Sequence, residues 1–166
     1  MVEFLTPLDT RAYEADEFVV LRDYELEFDH HGRRYRLTIP RGFITDLGSQ
    51  PWLVQALPGF GVNGNSRDAA VPHDFGYSSA GDLAVLDVTT GEIVRLKLTR
   101  REVDQLFYDG LIASGYSRAV ARLFYLGVRA GGWWYWRQRR GGIRYDYDFV
   151  PETYWNQPCT HCGATA

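Results

Sequence analysis

Hydrophobic and polar positions alternate over residues 18–29: Phe18, Val20, Tyr24, Leu26 and Phe28 fall on one face, and Asp23, Glu25, Glu27 and Asp29 on the other. That period of two predicts a strand with one buried face. His30-His31-Gly32 follows as a turn, its glycine free to take positive φ, and Arg34 and Arg36 then alternate with Tyr35, Leu37 and Ile39 in a second strand. Pairing the two sets arginines opposite carboxylates on the solvent face, which favours one register. A second hairpin is expected from Leu83–Val88 and Ile93–Leu98, joined through Thr89-Thr90-Gly91. Ile143, Tyr145, Tyr147 and Phe149 alternate with Arg144, Asp146 and Asp148, which predicts a last strand.

The helices announce themselves by caps. Ser49 precedes an apolar run with Pro51 in its first turn, predicting a short helix that ends near Pro58-Gly59. A Gly/Asn-rich loop leads to Ser66, a cap candidate for a helix over 67–77. Pro72 lies inside that helix and predicts a kink or a late start. Thr99-Arg100-Arg101-Glu102 is a capping box, and Val103, Leu106, Phe107 and Leu111 form the stripe behind it, with Gly115 as the stop. Ser117 caps a further helix to about Ala130. These elements predict a single α+β domain over residues 1–150, with two β-hairpins packed on three or four helices. A C-terminal tail, 151–166, carries a C-x-x-C pair.

Composition narrows the function classes. The chain has 166 residues, 45% of them hydrophobic and 15% aromatic, enough for a core and too apolar for a disordered tail. Its net charge of −3 disfavours nucleic acid as a partner. No apolar run approaches the ~20 residues that span a bilayer. Met1 to Asp9 lacks the pattern of a secretory signal, so the expectation is a protein made in the cytoplasm. Lys97 is the only lysine beside seventeen arginines, which fits either GC-rich coding or selection for planar anion contacts. Gly59-Phe60-Gly61 is too short for a phosphate loop, and no serine or cysteine triad is visible.

The residues with most chemistry are Thr45-Asp46, His73-Asp74 and Asp104, on three separate segments. One imidazole with two or three carboxylates suits a divalent cation that polarises a carbonyl or phosphoryl group and activates water. On that reading Asp46, His73 and Asp104 are ligands. Asp74 then stands behind the ligands or serves as general base; alternatively His73 is itself a general base oriented by Asp46 or Asp104. The plainer explanation is that the aspartates cap helices and turns while His73 is a satisfied core histidine.

Three blocks carry a resemblance. Gly42-Phe43-Ile44-Thr45-Asp46, continuing to Ser49 and Pro51, resembles a GF-x-TD-x-x-S-x-P signature. Ala69-Ala70-Val71-Pro72-His73-Asp74-Phe75-Gly76-Tyr77 resembles an AA-x-x-HD-x-x-Y block. Asp104–Phe107 with Tyr116–Gly132 is similar to an acidic-aromatic helix pair. Together, over about residues 20–136, they resemble the phage and prophage domain-of-unknown-function family numbered 1353. Pro72 and Gly48 depart from its usual residues. The resemblance implies a gene among phage tail and lysis genes. It adds weight to Asp46, His73, Asp74 and Asp104 as a set without naming a reaction.

Two further segments stand apart. Cys159, His161 and Cys162 offer up to three of the four ligands a structural zinc needs, the alternatives being a local disulfide or free thiols. Trp133, Trp134 and Trp136 with Arg137, Arg139 and Arg140 cannot all turn inward from one helix, and an exposed remainder of that kind most often meets a protein partner. Two functions of different class result. One is a phage-encoded, metal-assisted hydrolase of the host cell envelope, with zinc as the expected ion and peptidoglycan as the expected substrate. The other is a non-catalytic virion or tail component that contacts neighbouring subunits, or itself, through the aromatic segment and the tail.

Overall fold

The computed structural model describes residues 1–14, 17–46, 66–138 and 142–150. Five strands form one antiparallel sheet in the order β1 (Val2–Phe4), β4 (Tyr24–His30), β5 (Arg33–Ile39), β7 (Asp82–Asp87) and β8 (Ile93–Lys97). A second sheet holds β2 (Thr10–Ala12), β3 (Phe18–Val20) and β6 (Ile44–Thr45). Three helices complete the described residues: α1 (Arg67–Ser78), α2 (Arg100–Ala113) and α3 (Arg118–Gln138). This is the expected α+β class, with both predicted hairpins side by side in the larger sheet through Tyr35↔Asp87 and Arg36↔Leu86.

The β4–β5 hairpin pairs Glu27 with Arg36 and Asp29 with Arg34. Arg34 and Arg36 both donate to Glu27, at 2.6 and 2.9 Å, so the carboxylates set opposite arginines do fix the register. The strand expected over 18–29 is in fact two strands in two sheets. Its alternation continues through the break and hides it. Val20 faces the main core, but Val19 and Leu21, on the supposed solvent face, are buried against Val150. Asp23 then turns the chain by accepting the Arg41 N–H at 2.9 Å.

Helix α1 is buried from Ala69 to Ser78 on every side, which makes it the central rod of the molecule. It begins at Arg67, with neither a late start at Pro72 nor a side-chain cap from Ser66. Pro72 removes the N–H that would bond the Asp68 carbonyl, and the buried Tyr24 hydroxyl supplies the missing donor at 3.1 Å.

Helix α2 has the expected capping box, Thr99 with Glu102. Helix α3 runs past Ala130 to Gln138. Gly131-Gly132 is therefore no stop: a Cβ on Gly132 would strike the Tyr77 hydroxyl, so the glycine serves close approach of α3 to α1. The strand expected over 143–149 reduces to one bridge, Phe43↔Tyr145. Asp146 ends it by accepting the Phe149 N–H at 3.1 Å, which bends the chain into a turn. The helix predicted from Ser49 lies outside the described residues.

Candidate functional site

Three helices meet at Asp104, and the end of β6 meets the neighbouring Asp74. The capping box sets the phase of α2 so that Asp104 points inward beside Val103 and Phe107, with no exposed surface. Across from it, His73 and Tyr77 are four residues apart on α1 and so share a face. Glycine makes their approach possible: a Cβ on Gly76 would lie 2.6 Å from Val103 Cγ1, and one on Gly110 would lie 2.9 Å from Ala69 Cβ. Substitution at either position would push α1 and α2 apart.

Every oxygen of Asp104 is used. Oδ1 sits 3.0 Å from His73 Nε2 and accepts the Tyr77 hydroxyl at 2.6 Å. Oδ2 accepts Arg129 Nη1 from α3 at 2.7 Å, and Arg100 stands 3.9 Å away. On the other side of His73, Nδ1 faces Asp74 Oδ1 at 3.8 Å. Asp74 Oδ2 accepts the buried Thr45 hydroxyl at 2.5 Å, and its carboxyl also meets the side chain of Asp46 through a hydrogen bond. The result is a row: Arg129, Asp104, His73, Asp74, then Thr45 and Asp46. The imidazole lies between Tyr77 and Phe107, with ring centroids at 4.3 and 4.9 Å and the planes tilted by 40° and 41°.

The charges follow from that order. Burial alone would push the His73 pKa down, but Asp104 and Asp74 outweigh it and hold the pKa above the ordinary histidine value. Burial likewise opposes ionisation of Asp104, while the hydrogen bonds from His73, Tyr77 and Arg129 bring its pKa below the usual carboxylate value. Asp74 is lowered against the same burial effect by His73, Thr45 and Asp46. Burial and then the bond to Asp104 raise the Tyr77 phenol, so it stays a donor. The two carboxylates on either side thus favour the protonated form of the ring.

This arrangement does not suit a metal ion held by Asp46, His73 and Asp104. His73 Nε2 and Asp104 Oδ1 face each other at 3.0 Å instead of a shared point. Arg129 already supplies the cation that Asp104 needs. Among the described residues, these three do not gather their ligand atoms within 4.8 Å.

A family model described as "Protein of unknown function (DUF1353)" matches residues 18–128, two thirds of the chain. The chain belongs to this family. The DUF1353 match spans Thr45, Asp46, His73, Asp74, Tyr77, Arg100 and Asp104, and ends one residue short of Arg129. No curated protein and no solved structure matches the chain.

Of the residues singled out by sequence, Asp46, His73, Asp74 and Asp104 do converge. Sequence reasoning missed Tyr77, Arg100 and Arg129 as members of the row. Tyr77 was signalled by its spacing from His73 and Arg100 by its (i, i+4) spacing to Asp104, whereas nothing in the spacing pointed to Arg129. In the aromatic segment, Trp133 and Trp134 are 48% and 54% exposed, with Arg137 stacked 5.4 Å over the Trp133 ring. Trp136 instead turns inward, edge-on to Tyr77 at 5.1 Å. Arg139, Arg140, Cys159, His161 and Cys162 lie outside the described residues. No helix among the described residues is long and apolar enough to cross a membrane.

Proposed function

We propose that the protein is a phage-encoded hydrolase of the host cell envelope, acting on a peptidoglycan-type substrate by general acid–base chemistry centred on His73. The observation that carries this reading is the His73 imidazole braced by Asp104 on one nitrogen and facing Asp74 on the other. Asp104 is a positioning residue: fully buried and fully bonded, it fixes the ring and favours its protonated form. Asp74 is the base that takes a proton from the attacking water, and His73 is the acid that protonates the leaving group. The 3.8 Å gap between Nδ1 and Asp74 exceeds a direct hydrogen bond, and a bridging water closes such a gap. After the bond breaks, the proton passes from Asp74 back to His73 across the same gap. Asp46 is only half-buried and stands at the outer end of the row, next to Asp74. The phage setting and the envelope substrate rest on the sequence resemblance, and no step passes through a metal.

The test is release of soluble fragments from purified, dye-labelled peptidoglycan by the full chain. Asp74→Asn and His73→Gln should each lower the rate about 100-fold or more, the usual share of one acid or base. Thermal melting reports whether each variant is folded. Release unaffected in folded variants, or no release by the wild type, contradicts the hydrolase.

A second reading has its own support. Along α3, Leu123, Leu126, Trp133 and Trp134 are exposed. Such a row suits contact with neighbouring virion or tail subunits. Inactivity on peptidoglycan together with self-association that Trp134→Ala abolishes would favour this role.

A further inference from the structure

We propose that His30, His31 and Glu102 form a zinc-binding site that clips the β4–β5 turn to the start of α2. The site is separate from the His73 row and independent of the hydrolase reading.

Neighbouring residues of a strand point to opposite sides, so two consecutive histidines do not ordinarily share a ligand. Here the turn brings them together. His30 ends β4, while His31 and Gly32 both take positive φ, 48° and 77°, the backbone of a tight two-residue hairpin turn. His31 adopts the left-handed region although it is not glycine, and the two imidazole rings end 4.1 Å apart. That backbone is one that asparagine or glycine fills more readily.

Glu102 supplies the third ligand, and the capping box aims it. Its Oε2 is occupied by the Thr99 N–H and hydroxyl, each at 2.7 Å. Oε1 is thereby left facing the histidines, 3.5 Å from His31 Nε2 and 4.0 Å from His30 Nε2. All three ligand atoms lie within 4.8 Å of one another. Direct charge-assisted hydrogen bonds would be about 2.7–2.9 Å. Zinc bonds of about 2.0–2.1 Å in a tetrahedron put neighbouring ligand atoms roughly 3.3 Å apart, so small side-chain rotations complete the shell. Two imidazoles and a carboxylate form a donor set that zinc takes, with a fourth position left for water. His31 is 80% exposed on its side chain, so that position opens to solvent. Arg33, next in the hairpin, pairs with Asp87 at 3.3 Å. Glu102 and Asp104 lie on one helix, but Glu102 is on its surface and Asp104 is buried, which keeps the two sites apart.

The test uses the full chain carrying Cys159→Ser and Cys162→Ser, which removes competing thiols. Zinc is titrated at neutral pH against a chromophoric chelator, and imidazole signals are followed by NMR. One zinc per chain is expected, with shifts at His30 and His31. His31→Asn preserves the left-handed turn and Glu102→Gln preserves the capping box, so both should fold as the parent does. Each should weaken zinc binding about 100-fold or more, beyond the usual effect of losing an outer-shell partner. No binding by the thiol-free chain, equal affinity in the variants, or zinc shifts at His73 in place of His30 and His31 would overturn the proposal.

Discussion

Tyr24 donates its hydroxyl to the Asp68 carbonyl at 3.1 Å, the carbonyl that Pro72 leaves without its helical donor. A strand residue of the large sheet thereby repairs the central helix, and the repair explains why a proline is tolerated inside the buried α1. Removing the hydroxyl strands a buried carbonyl. Tyr24→Phe should cost about 1–3 kcal/mol in denaturant unfolding. Pro72→Ala in the same chain restores the N–H and should recover most of that loss. Strict additivity of the two changes would contradict the pairing.

Gly132 and Tyr77 give a second coupled pair. Gly132→Ala drives a methyl into the Tyr77 hydroxyl and should destabilise by about 1–3 kcal/mol, as overpacking does. Tyr77→Phe removes both the obstacle and a donor to Asp104. The alanine should therefore cost less in the Tyr77→Phe background than in the wild type, measured by thermal melting of all four chains.

How much of this was legible in the sequence depends on the range of the interaction. The hairpin at Glu27 and Arg36 and the capping box at Thr99 and Glu102 are local, and the residue pattern was enough to place them. The break between Val20 and Tyr24 was hidden because Val19 and Leu21 bury against Val150, far along the chain. Pro72 read locally predicts a defect; only Tyr24, from another element, removes it. The same holds at the site. Asp46, His73, Asp74 and Asp104 were visible as residue types, but their order in a row was not. Arg129 stayed invisible because a helix crossing, not a spacing, brings it to Asp104. The histidine pair at the first turn looked like simple turn residues until the capping box was seen to point Glu102 at them.

Stability should depend on pH from both sides. Asp74 and Asp104 have pKa values lowered on folding, so their contribution is full above about pH 4 and is lost as pH falls through the folded values. His73 is raised, so its contribution is full below about pH 6.5 and is lost as pH rises through the folded value. Melting temperature against pH should therefore peak between about pH 4 and 6.5, as far as this row determines it. In His73→Gln the decline on the alkaline side should disappear.

The protonation state of His73 is the most direct test of an acid–base centre braced by Asp104 and Asp74. Nitrogen-15 NMR of the imidazole reads it in the intact chain. The ring should titrate above the ordinary histidine value of about 6.5, with both nitrogens protonated below that midpoint and a lower midpoint in Asp74→Asn. A neutral, single-tautomer ring at pH 7 that titrates below about 6.5 would contradict the assignment of His73 as the acid.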